Sequence, residues 1–250
     1  MISAQIAEGL HGERLLTAWE EGGPEHPLRR ALTLLATAMP GVERSRLAEL
    51  PLPERNRLLL HLRQLTFGAT LEAVAGCTSC DATMEFSLQV RAILEELACH
   101  ECRDRIEWHE QGQLLQLRAV NTLDLLAALD APSAAEAEDL LVARCLTTVD
   151  EAETLSAHSV LTSAREQFER LHTDAELRCA LTCPQCSHSD TVSFDIAHFL
   201  WLEVRHAALR LLGEIHTLAA HYGWSENAIV RMSPRRRSSY LGLLTGSPPS

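Results

Sequence analysis

The sequence contains no lysine, because all 22 of its basic residues are arginine. This absence excludes Schiff-base chemistry on a lysine and the lysine of a phosphate-binding loop. The patterns GxxxxGK[ST], GxGxxG and GxSxG are also missing, so phosphate-loop, dinucleotide-binding and nucleophile-elbow functions have no support in the sequence. The spacing defines no specific Ser/His/Asp or Cys/His set either. We therefore expect a protein that is not an enzyme and has no small-molecule substrate.

Long apolar runs are missing as well, and none reaches the roughly 18 residues of a membrane span. The first residues carry Glu8 and Glu13 among apolar ones, so we expect no signal peptide. The net charge of −12 opposes general binding to nucleic acid or to anionic membranes. These features predict a cytoplasmic protein with protein partners and no membrane association.

Eight cysteines are present, and six of them have CxxC spacing. Cys77 and Cys80 form one pair, Cys183 and Cys186 form another, and a short strand-like run follows each. Two CxxC turns supply the four thiolates that tetrahedral zinc prefers, and a shell of four protein ligands leaves no position for substrate. We predict one structural zinc ion here. The alternatives are ordinary buried thiols or a redox CxxC motif, which would require a βαβ setting.

A third CxxC motif, Cys99 to Cys102, has only His109 nearby as a further ligand, and whether it binds a second metal stays open. We interpret Cys145 and Cys179 as small core residues. The motif Glu203-x-x-His206 has the spacing of dimetal helix bundles, which need a second copy that the chain lacks, so we interpret it as an ordinary helix face.

The periodicity predicts an α+β fold that is predominantly helical. The two cysteine pairs would lie in the turns of two hairpins that face each other as a zinc ribbon. The clearest predicted helix begins at the N-cap Asp195 and is stopped by Gly223. The predicted segments are an N-terminal helical segment 1–69, a zinc ribbon 70–90 plus 175–194, a mostly helical insertion 91–174, and a C-terminal helical module 195–250.

The last twenty residues carry a charge of +4, from Arg231, Arg235, Arg236 and Arg237, against −16 on the rest of the chain. Such a cluster is either a solvent-facing helix face or a basic surface for an acidic partner. Arginine and aromatic residues together are typical of interfaces. The predicted partner-binding residues are therefore Trp224, Arg235, Arg236, Arg237 and Tyr240.

Six segments carry a resemblance to known proteins, and they are residues 58–68, 117–125, 194–203, 211–219, 222–226 and 235–241. These segments resemble the baseplate hub assembly proteins of T-even phages and larger zinc-bearing relatives from phage-tail and contractile-injection gene clusters. The resemblance implies a structural or assembly role in a phage-like baseplate, with other tail proteins as partners and incorporation into a particle as an open alternative to a cytoplasmic location. Cys99 to Cys102 has no counterpart in this pattern.

Two other functions stay open from the sequence. One is a zinc-ribbon regulator or adaptor that contacts nucleic acid through the basic tail, which the charge of the remaining chain disfavours. The other is a metal-dependent hydrolase that uses Glu203, His206 or His216. The sequence leaves open which partner is bound, the stoichiometry, and whether the protein remains in a particle or acts as a chaperone.

Overall fold

The computed structural model describes residues 6–99, 104–110, 112–148, 157–173 and 178–246. In these ranges the chain is mostly helical with three small antiparallel sheets, which confirms the predicted α+β class with a helical majority. The helices are α1 Glu13–Gly22, α2 Pro27–Ala38, α3 Arg44–Ala48, α4 Leu52–Phe67, α5 Val90–Cys99, α6 Thr122–Ala128, α7 Ala134–Cys145, α8 Ala157–Thr173, α9 Ile196–Tyr222, α10 Glu226–Val230 and α11 Pro234–Thr245. The strands are β1 Thr70–Gly76, β2 Thr83–Gln89, β3 Arg105–Glu110, β4 Gln113–Arg118, β5 Leu146–Thr148, β6 Arg178–Thr182 and β7 Ser189–Ser193.

The longest helix, α9, begins and ends where its sequence signals predict. The Asp195 carboxylate accepts hydrogen bonds from the backbone N–H groups of Ala197 and His198, so it caps the first turn. Gly223 follows the last turn with a left-handed φ of 66°, which a residue without a Cβ adopts at little cost. The apolar stripe of α9 is buried along its length and forms the centre of the fold.

The helices α1, α2 and α4 pack against α9, and we call these four helices the helical body. The contact between α1 and α9 is close, because a Cβ added at Gly22 would lie 2.6 Å from a ring carbon of Trp201. The predicted segments 1–69 and 195–250 thus bury their apolar faces in one shared core. The segment boundaries themselves stay a prediction.

Two hairpins extend from this core. Strand β1 pairs with β2 from Thr70↔Gln89 to Gly76↔Thr83, and β6 pairs with β7 from Arg178↔Ser193 to Thr182↔Ser189. Each hairpin carries a CxxC motif in its turn, as predicted. Leu71 lies in the core of the helical body, so the first hairpin is anchored there. The second hairpin leads directly into α9.

The region between the hairpins forms a smaller unit with its own core. Its sheet has the order β3–β4–β5 and packs against α7 and α8 around Leu117, Cys145 and Leu171. Strand β5 follows α7 directly, and its Leu146 pairs with Leu117 in the sheet. Contact across the sheet outweighs local helix propensity here.

The insertion docks onto the start of α4. The Leu52 N–H donates to the Val120 carbonyl oxygen over 2.9 Å, and Arg55 Nη1 donates to Thr122 Oγ1 over 3.2 Å. Burial lowers the pKa of Arg55 to about 10, with nearby Asp195 acting in the opposite direction. Throughout the segments that the structure describes, no helix has the length and apolar character needed to cross a membrane.

Candidate functional site

The two CxxC turns have the same backbone hydrogen bonds. In the first turn the Cys77 N–H donates to the Ala82 carbonyl oxygen over 2.9 Å, and the Asp81 N–H donates to the Cys77 carbonyl oxygen over 3.0 Å. In the second turn the Cys183 N–H donates to the His188 carbonyl oxygen over 2.8 Å. The two turns are therefore equivalent local structures at the ends of two separate hairpins.

A left-handed residue follows the second cysteine in both turns. Asp81 has a φ of 57° and Ser187 a φ of 59°, and these are the only residues other than glycine with positive φ in the described part of the chain. This conformation costs L-residues roughly 1 kcal/mol or more. In both turns it lies where the chain turns back toward the second strand of the hairpin.

The four sulfur atoms converge on one point. Cys77 Sγ lies 3.7 Å from Cys186 Sγ, and Cys80 Sγ lies 3.7 Å from Cys183 Sγ. All four atoms lie within 4.8 Å of one another. The cysteines are free thiols, and their separations are far beyond the roughly 2.05 Å of a disulfide bond. The arrangement could hold one metal ion.

Burial and charge differ around the four thiols. Cys77 and Cys183 are buried, whereas Cys80 and Cys186 are exposed. Backbone N–H groups of Cys186 and Gln185 lower the pKa of Cys183 to about 6. The Ala82 backbone lowers the pKa of Cys80, but contacts with the other three thiols outweigh it and raise this pKa to about 12. Four thiolates at these distances repel one another, and a cation at their centre would relieve that repulsion.

A hydrogen bond between side chains reinforces the contact of the two hairpins. Thr78 Oγ1, inside the first CxxC motif, donates to Asp190 Oδ2 on β7 over 2.6 Å, and this bond lowers the pKa of Asp190. No local sequence pattern indicates this pair, because the two residues are 112 positions apart. They join the same two chain segments as the four cysteines.

Of the other cysteines, Cys145 is the one whose side chain is described, and it does not join this group. Cys99 to Cys102 lies outside the residues whose side chains are described, as does the Cys179 side chain. Cys145 is fully buried and lies 3.8 Å, sulfur to oxygen, from Asp124. Burial raises the pKa of Cys145 to about 12, so it is a neutral core thiol. Within the described ranges the four cysteines are the only set of three or more metal-ligating side chains in mutual reach.

Glu203 is held by an arginine. Arg63 Nη2 donates to Glu203 Oε1 over 2.7 Å and Arg63 Nε donates to Glu203 Oε2 over 3.0 Å. Arg63 Nη1 also donates to the carbonyl oxygens of Gly68 and Thr70. Because both carboxylate oxygens accept from this guanidinium, Glu203 serves the packing of α4, β1 and α9 against one another. Sequence spacing gave no sign of this pair.

The predicted partner-binding residues lie together at the C-terminal end. Trp224 contacts Tyr240 edge-on, with ring centroids 4.8 Å apart, and the Arg236 guanidinium lies 5.8 Å from the Tyr240 ring. Arg235 and Arg236 are exposed. Arg237 differs from the prediction, because it is buried and donates to Glu214 Oε2 over 2.7 Å. Its guanidinium holds α11 against α9 and does not face solvent.

Comparison with known proteins gives one family. Residues 12–201 match the model of the family described as T4 bacteriophage base plate protein. No curated protein and no solved structure matches the chain. The matched range contains both cysteine pairs, the insertion and the first turns of α9. Since it covers well over half of the 250 residues, the chain belongs to the T4 bacteriophage base plate protein family.

Proposed function

We propose that this protein is a structural or assembly component of a phage-like contractile tail, located in the baseplate, that acts by binding other tail proteins and not by catalysis. The observation that carries the proposal is the family match over residues 12–201. The closed set of four thiols supports it, because that set leaves no position for a substrate. The protein would be made in the cytoplasm and would there meet the tail components it binds.

The metal in this proposal is one structural zinc ion bound by Cys77, Cys80, Cys183 and Cys186. Zinc–sulfur bonds of roughly 2.3 Å in a tetrahedron place the sulfur atoms about 3.8 Å apart. The two 3.7 Å separations across the hairpins are in accord with this value. The ion would join the hairpins of segments 70–90 and 175–194 into a zinc ribbon, with 91–174 as an insertion.

Association with tail particles tests the assembly role. A tagged chain would be expressed in cells that produce the phage-like particle, and the particles would be purified by density and analysed by mass spectrometry. We expect the chain, or its complex with a named tail protein, to be recovered, and a deletion of its gene to yield incomplete tails. Complete, infective or contractile particles without the gene, together with no recovered tail protein, would refute the role.

Elemental analysis tests the metal separately. The protein purified without a metal-binding tag should contain about one zinc ion per chain, because the four thiolates form a single tetrahedral shell. Iron or no metal in a folded sample would refute the zinc assignment. The assembly proposal would stand in that case, since it depends on the family match.

A further inference from the structure

Helix α11 has an inner face that holds it to the protein. Arg237, Leu241 and Leu244 recur at i, i+4 and i+7 and therefore lie on one side of the helix. Arg237 is bound to Glu214 and to the Met232 carbonyl oxygen, and the two leucines pack against the core of the helical body. This face is already occupied within the chain.

The neighbouring face of α11 is more exposed, although Tyr240 on it and the nearby Trp224 are half-buried and also contact the core of the helical body. Arg236, Tyr240 and Leu243 recur at the same spacing, and Leu243 is 62% exposed. An exposed leucine alone needs no explanation, but here it continues a stripe that begins with an arginine and a tyrosine. Trp224 extends this stripe, because its ring packs edge-on against Tyr240. The result is a half-apolar strip about 10 Å long bordered by cations.

The charges beside the strip are not neutralised within the described part of the chain. Arg231, Arg235 and Arg236 are exposed and form no ion pair there. Arg235 and Arg236 also lie in the first turn of α11, where the helix dipole disfavours positive charge. An anionic partner would relieve both effects. The charge of −16 on the rest of the chain contrasts with this local surface.

We propose that the C-terminal docking surface, formed by Trp224, Arg235, Arg236, Tyr240 and Leu243, binds an acidic amphipathic helix of another tail protein. This inference rests on the proposed function and names the chemistry of the partner. Carboxylates of the helix pair with Arg235 and Arg236, and its apolar residues cover Leu243 and the edges of the two rings. The surface lies beyond the matched range 12–201, so this recognition adds to what the family model describes.

A protein helix fits this surface better than nucleic acid does. The Trp224 ring is stacked on Tyr222 at 4.4 Å and meets Tyr240 edge-on, so its rings do not form an open platform for bases. A long polyanion bound at the arginines would also meet the acidic remainder of the chain. A short acidic helix avoids this repulsion.

Fluorescence anisotropy with the full chain tests the proposal. The probe is a labelled peptide of about 20 residues that contains glutamate, alanine and leucine, with leucines at i, i+3, i+4 and i+7. The comparison probes are a scrambled peptide of the same composition and a DNA oligonucleotide. We expect Arg235→Glu/Arg236→Glu to weaken binding of the amphipathic peptide about tenfold or more, and Leu243→Ser about fivefold.

The matched controls are Arg205→Glu/Arg210→Glu and Leu209→Ser, which make the same changes at exposed positions of α9. Three results would overturn the proposal: the control variants weaken peptide binding as much as the surface variants do, the scrambled peptide binds with the same affinity as the amphipathic one, or the DNA oligonucleotide binds more tightly than the peptide. Recovery of variant chains with tail particles separates the two hypotheses. If the wild-type chain and the Arg235→Glu/Arg236→Glu chain enter particles equally, the docking proposal is refuted and the assembly role is supported. If neither chain enters particles, the assembly role is refuted, and the docking proposal, which rests on it, is refuted with it.

Discussion

In the helical body, side chains such as Leu59 and Leu200 are fully buried in a core shared by four helices. Among the described side chains of the paired hairpins, in contrast, only Cys77, Met84 and Cys183 form a buried cluster of their own. Burial of one leucine contributes about 2 kcal/mol, whereas an isolated two-stranded hairpin is marginally stable at best. The body can thus fold through apolar burial, and the hairpins need a cross-link. The four clustered cysteines lie in the hairpins, where apolar burial is insufficient.

The strongest test of this comparison removes the cross-link. Cys77→Ser/Cys183→Ser should abolish metal binding, because two of the four ligands are lost. Hydrogen exchange should then become fast in residues 70–89 and 178–193, while the centre of α9 stays protected by its own core. Exchange mass spectrometry and elemental analysis on the same samples measure both effects.

The control for this variant is Cys145→Ala, since Cys145 is buried in the insertion and not among the four ligands. It should leave metal content and hairpin protection unchanged. Hairpins that remain protected without metal would show that they are stabilised by burial like the body. The contrast between the two regions would then be wrong.

A second test removes the ion pair that connects the helical body to the first hairpin. Arg63 binds Glu203 of α9 and the Thr70 carbonyl oxygen at the start of β1, and its side chain is 4% exposed. Arg63→Met should cost about 3 kcal/mol in the free energy of unfolding, because it leaves Glu203 and two carbonyl groups without their donor. Urea denaturation measures this change.

Arg57→Met on the same helix is the matched control, since Arg57 is exposed. Its effect should be within about 0.5 kcal/mol. Glu203→Gln should lie between the two variants, because the amide still accepts one hydrogen bond. Equal changes in the free energy of unfolding at positions 57 and 63 would mean that the ion pair does not stabilise the contact between the helical body and the first hairpin.

The predictable parts of this structure are those with short-range signals. The CxxC spacing and the alternating residues around it predicted two hairpins with convergent thiols, because a turn fixes both cysteines locally. Asp195 and Gly223 predicted the ends of α9 for the same reason. The charge of the last twenty residues predicts either a solvent-facing helix face or a basic binding surface, and Arg235 and Arg236 are exposed; their role in partner binding stays a prediction.

The parts that could not be predicted depend on contacts between distant residues. Arg63 and Glu203 are 140 positions apart, and nothing in their sequence neighbourhoods distinguishes them from charged residues that lie on the surface. Arg237 has the same residue type as its neighbours, and only its position on the inner face of α11 buries it. Strand β5 forms because a sheet edge is present beside it.

A third test extends the comparison to the insertion, whose small core contains a charge. Asp124 is fully buried, and its carboxylate accepts from Arg118, Arg144 and the Asn121 N–H. Burial raises the pKa of Asp124, but the hydrogen bonds from Arg118 and Asn121 outweigh burial and hold it below its usual range. Asp124→Asn should therefore cost about 2 kcal/mol at pH 7. The two arginines are two-fifths exposed, so solvent screening limits the effect.

The lowered pKa of Asp124 also predicts the direction in which stability changes with pH. A carboxyl group whose pKa is lower in the folded state stabilises the fold above its unfolded pKa of about 3.9, and this contribution is lost as pH falls through the folded pKa. Wild-type stability should thus fall below about pH 4 more steeply than that of Asp124→Asn. Urea titrations at several pH values measure the slopes. Parallel slopes would show that this carboxylate is not responsible.

The smallest expected effect concerns the backbone of the cysteine turns. Asp81 and Ser187 have left-handed conformations, so at each position alanine should weaken metal binding relative to glycine by about 1 kcal/mol, or roughly fivefold in affinity. Competition with a chromophoric chelator measures the difference. Ser79, which lies in the same turn without a positive φ, should show the opposite order, because glycine there only adds freedom to the unfolded chain. The alanine and glycine variants at positions 81 and 187 could instead have equal metal affinities while those at position 79 differ. That result would contradict the prediction and would mean that the left-handed conformation does not limit metal binding.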